Sequence, residues 1–64
     1  MIAVTRLDGR ELVVNLDRVV SVESTPDTML TLTGGDRLMV REGVDEVVRR
    51  AIDYKRRSAA WKEG

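Results

Sequence analysis

The sequence predicts one α+β domain that is mostly β: a five-stranded antiparallel meander sheet followed by one C-terminal amphipathic helix packed on it. Three observations carry this. Up to residue 42 the chain falls into short segments of alternating apolar and polar side chains. Those segments are separated by turn signals, Asp8-Gly9, Thr25-Pro26-Asp27-Thr28 and Gly34-Gly35. From residue 44 onward the apolar period lengthens from two to that of a helix.

Taken in order, the strands are expected at 2–7, 11–15, 18–24, 29–33 and 37–42. In the first, Ile2 and Val4 alternate against Thr5 and Leu7. Asp8-Gly9 then predicts a tight hairpin of type I′, which needs φ > 0 at both central residues. Residues 11–15 continue with Leu and Val and no breaker. In 18–24, Val20 and Val22 are expected on one face, with Val19, Ser21 and Glu23 on the other. Pro26 suits the first corner of a type I turn, with Asp27 bonding the backbone beyond it. Leu30 and Leu32 then oppose Met29, Thr31 and Thr33, and Leu38 and Val40 oppose Arg37, Met39 and Arg41. Gly34-Gly35 supplies the left-handed positions of the hairpin between these two strands. The expected sheet has one oily face and one mostly polar face.

The helix is expected over 44–58, with 59–64 as a tail that extends it or frays. Val44, Val47, Val48, Ala51 and Ile52 share one face and should cover the sheet. Gly43 is the expected N-cap, with Glu46 placed to reach back as half a capping box. Asp45 and Glu46 in the first turn, and Lys55, Arg56 and Arg57 near the end, complement the helix dipole.

Size and composition bound the function. At 64 residues the chain makes one domain spanning 1–64. A domain this small buries only about 60% of its unfolded surface, so its core is marginal. Without cysteine, no disulfide or thiolate metal site can add stability. Sharing a core with a second copy is the remaining route, so a homo-oligomer is expected. Histidine, the commonest general base and metal ligand, is also missing. Asp8, Asp27 and Asp36 all fall in turns, and no phosphate loop, nucleophile elbow or metal cluster occurs. No enzyme activity, cofactor or metal is expected. The chain lacks a run of 18 or more apolar residues and a secretory signal pattern, which makes the cytoplasm the expected compartment.

Charge is uneven although the net is zero. Residues 1–48 hold five basic and nine acidic side chains, whereas residues 49–64 hold six basic and two acidic. Arg49, Arg50, Arg56 and Arg57 form a basic stripe, a candidate surface for an acidic protein partner, or for a peripheral membrane contact. Nucleic acid fits less well, because the only aromatic residues are Tyr54 and Trp61 and neither interleaves with the sheet. These two lie seven residues apart, and Trp61 is a candidate partner anchor or a lid on the core. On the sheet, Thr31, Thr33 and Met39 are a candidate contact between copies.

The stretches "TRLDGRELVVN", "VESTPDTMLTLTGGDRLMVRE" and "VDEVVRRAIDYKRR" resemble the FlbD/SwrD family of small flagellar and swarming motility proteins. The resemblance runs from residue 1 to about residue 57. Its matched positions are Thr5, Arg6, Leu7 and Gly9, then Asn15, the turn motif Thr25, Pro26, Asp27 and Thr28, and Thr31 to Thr33 with Gly35. Val40, Glu42, Tyr54, Lys55 and Arg56 complete it. Asp8 stands where the family has Asn, and Gly43 where it has a Ser cap. The resemblance implies a cytoplasmic, non-enzymatic accessory that supports the flagellar motor or stator, near the flagellar base at the inner face of the membrane. The opening "MIAVTR" with five strands and a late helix also resembles the CsrA/RsmA family of small RNA-binding dimers. Arg6 and Arg41 would take the basic positions there. The Thr-Pro-Asp-Thr turn and the acidic body depart from that second pattern.

Overall fold

The computed structural model describes the backbone of residues 1–63 and the side chains of residues 1–57. Five strands and one long helix follow in the expected order: β1 (Ile2–Thr5), β2 (Glu11–Val14), β3 (Val19–Ser24), β4 (Thr28–Leu32), β5 (Arg37–Val40) and α1 (Val44–Glu63). The strands do not form one meander. β1 and β2 make a two-stranded antiparallel sheet, and β3-β4-β5 make a separate three-stranded one.

The expected β2–β3 pairing fails for a local reason. The Asn15 side chain accepts a hydrogen bond from the Asp17 backbone N–H at 2.9 Å, and Arg18 N–H donates to the Asn15 carbonyl at 2.9 Å. These bonds wind Leu16–Arg18 into a single 3-10 turn between β2 and β3, and the two strands do not pair. The two sheets meet on the other side of β1. Arg6 bridges Val40, and the Arg41 N–H donates to the Thr5 carbonyl at 2.8 Å.

Turn chemistry also departs from expectation in two places. Only Gly9 has positive φ in the first hairpin, at 96°, so the connection is not type I′. Gly9 N–H donates to the Arg6 carbonyl at 2.9 Å and Arg6 N–H to the Arg10 carbonyl at 2.7 Å. This is a three-residue loop closed by one left-handed glycine, which leaves Asp8 free to accept from the Arg10 N–H at 3.0 Å. At the second turn the Thr25–Pro26 peptide is cis, so Pro26 is not the trans corner of a type I turn. Gly34 and Gly35 both have positive φ, as the hairpin pattern requires.

β3 carries the one register fault in its sheet. Val19 pairs with Leu32 but Ser21 with Thr31, so Val20 is an extra residue. The bulge reverses the expected alternation there: Val20 is 66% exposed, while Val19 joins Val22 on the inner side. The core is built from Ile2, Val4, Val14, Leu30, Leu38, Val40 and Val47, with Leu12, Leu16, Val22, Leu32 and Tyr54 packed against it. It is aliphatic, and each fully buried side chain contributes about 1.5–3 kcal/mol. α1 lies across β1 and β3 and runs past the expected end at residue 58. Its first internal bond is Val47 N–H to the Gly43 carbonyl at 3.1 Å, which fits Gly43 as N-cap.

Candidate functional site

The surface of α1 has two flanks of opposite character. On one, polar groups stitch the helix start to β1. Glu42 lies two residues beyond Val40 on the same inward side, and its side chain is only 10% exposed. Its carboxylate accepts from the Thr5 backbone N–H at 2.9 Å and from the Thr5 hydroxyl at 2.7 Å. The carboxylate thus takes the next rung of the β1–β5 contact after Arg41. Arg50 completes the tie, donating from Nη1 to the Ala3 carbonyl at 2.7 Å and to Glu42 at 3.2 Å. Burial pushes the Glu42 carboxyl up, but the two Thr5 donors, its own backbone N–H and the Arg50 charge outweigh it and hold it below the ordinary 4.5.

Further out, Glu46 accepts from Arg49 and from Arg50, the latter at 2.7 Å, and Arg49 also reaches Asp53 at 3.2 Å. The hydrogen bonds from Arg49 and then Arg50 lower the Glu46 carboxyl, and both guanidiniums are held more firmly protonated in return. Glu46 therefore serves these arginines rather than a capping box.

The other flank is apolar and open. A groove of about 240 Å³ runs between α1 and the inner side of β3, lined by Leu16, Val19 and Val22 on one wall and Val48, Ile52 and Lys55 on the other. Val48 is 43% exposed and Ile52 49% exposed, so the expected single apolar face of the helix is split. Val47 is buried, Val44, Ala51 and Tyr54 are half-buried, and Val48 and Ile52 look outward.

The residues singled out by sequence are thus dispersed. Arg49 and Arg50 belong to the stitched flank, whereas Arg56 and Arg57 are exposed. Tyr54 packs on the core, and the Trp61 side chain lies outside the described residues. Met39 faces outward from β5 opposite Met29, and Thr31 pairs with Arg37. Thr33 falls beyond β4 in the hairpin loop, its N–H donating to the Arg18 carbonyl at 2.7 Å. Thr25, Pro26 and Asp27 are exposed loop residues, and Thr28 is buried at the start of β4. Sequence reading missed the Thr5–Glu42–Arg50 tie. The parity of Leu38, Val40 and Glu42 was the available signal, since it aims the carboxylate at the interior.

Among the described residues no cluster of three Asp or Glu side chains is placed to hold a metal ion. Nor, among them, is any helix long and apolar enough to cross a membrane. Comparison with curated proteins and with solved structures found no match. A family model does match, over residues 1–59, which takes in both sheets and most of α1. The chain belongs to the FlbD family of flagellar and swarming motility proteins.

Proposed function

We propose that this chain is a non-enzymatic accessory of flagellar and swarming motility, acting by protein–protein contact with a motor or stator component in the cytoplasm near the flagellar base. The family match through residue 59 carries this reading. The chemistry of the surface supports it: with neither histidine nor cysteine in the chain, what α1 offers is an apolar groove and a set of arginines. Of those arginines, Arg56 and Arg57 enter no ion pair among the described residues, and they are the ones assigned to the acidic partner.

The test is a deletion strain complemented with the wild-type gene or with an Arg56→Glu/Arg57→Glu variant, scored for swarming and for filament number. Deletion should reduce swarming while filaments remain. The charge reversal should reproduce that defect at normal protein level. Unchanged swarming on deletion would overturn the reading, and loss of the filaments themselves would move the protein from motor support to assembly. Arg49 and Arg50 are unsuitable for this test, because reversing Arg50 would break the tie to β1.

A further inference from the structure

The open flank of α1 carries a pattern that specifies its own occupant. Asp45, Val48, Ile52 and Lys55 are spaced by three, four and three residues, so they form one stripe along the helix. The stripe is symmetric about residue 50, with Val48 and Ile52 inside and opposite charges outside. Val48 and Ile52 are the half-exposed apolar residues at the groove, and Lys55 lines its end. Asp45 and Lys55 are both exposed, and neither enters an ion pair among the described residues.

We propose that a second copy of this chain occupies the groove, its α1 antiparallel to the first across a two-fold axis near residue 50. In that arrangement Val48 faces the partner's Ile52, and Asp45 faces the partner's Lys55, each contact occurring twice. A parallel pair would set Asp45 against Asp45 and Lys55 against Lys55, so the charges select the antiparallel one. The chain is thus self-complementary on this face, as a closed two-fold interface requires. Pairing covers both half-exposed aliphatics and closes the groove over Val19 and Val22, extending a core that contains seven buried hydrophobic residues among the described ones. Of the arginines assigned to a motility partner, Arg57 lies off this stripe and Arg56, four residues past Ile52, borders it.

Sedimentation of the full chain at micromolar concentration should give twice the 7.2 kDa subunit mass. Val48→Asp should give the single-subunit mass with an unchanged far-ultraviolet circular dichroism spectrum. The register is tested by charge. Asp45→Lys or Lys55→Asp alone should weaken self-association about tenfold, since each reversal turns two attractive pairs repulsive. Mixing the two single variants should restore association as a heterodimer, because every facing pair is then opposite in sign. A chain that stays at single-subunit mass overturns the proposal. So does a dimer indifferent to Val48→Asp, or a mixture that associates no better than its components.

Discussion

The two flanks of α1 use the same helix in opposite ways. On the Arg50 flank, every charged group near the helix start has a partner, and Glu42 closes over a backbone N–H of β1. On the Val48–Ile52 flank the side chains reach no matching surface among the described residues. The difference shows how a small domain divides its work. Directional polar ties fix where the helix sits on the sheets, so the apolar area beyond Val47 and Ala51 is not needed to hold it there. That area is the face on which the proposed second copy would sit.

The comparison breaks most readily at Glu42. Glu42→Ala leaves the Thr5 N–H and one face of Arg50 without their acceptor, and should lower the unfolding free energy by about 2 kcal/mol in urea titration. A cost no larger than that of an exposed Asp45→Ala would show that the tie does not hold the helix. Next in size is a truncation pair. Val47→Ala should cost about 1.5 kcal/mol, because its side chain is buried against the core. Ile52→Ala should cost roughly half as much when measured on dilute, dissociated subunits, its side chain being half exposed.

Acid titration gives a smaller effect with a defined sign. The Glu42 carboxyl is lowered in the folded chain, so its contribution is fully present above its unfolded value near 4.5 and is lost as pH falls through the folded value. Glu46 and Asp8 shift in the same direction, so wild type and Glu42→Gln should be compared across the same range. The difference between them should shrink below pH 4.5, and parallel curves would remove Glu42 from the acid response. Smallest of all is Arg49→Ala. Its ion pairs with Glu46 and Asp53 are open to solvent, and the urea midpoint should not move measurably at physiological salt.

Much of the architecture was legible because local chemistry and the fold agree. The five strands, the helix start and the Gly34-Gly35 hairpin follow from alternation, period and positive-φ demand. What failed was pairing, which depends on contacts that no short window contains. Asn15 reads as the end of a strand, yet its side chain captures the Asp17 N–H and turns the chain away. Val19 and Val20 are interchangeable in sequence, and a bulge set by the partner strand decides which one is inside. The site was less legible still. Gly9, Asn15, Pro26 and Gly35 carry the family resemblance through turns, and Thr5 and Glu42 carry it through a structural tie. Those residues define the scaffold, whereas the groove residues Val48 and Ile52, though inside the matched span, are not among the positions that carry the resemblance. Of the stripe residues only Lys55 belongs to the fingerprint, so the fingerprint identifies the family without outlining the proposed contact.

The extra residue at Val20 has one more effect. β3 is the outer strand of its sheet, and a regular outer strand offers evenly spaced donors and acceptors on which foreign strands can grow into aggregates. The bulge puts that spacing out of step. Assembly by strand addition is thereby discouraged on the β3 edge, which favours the finite helix partnership proposed above.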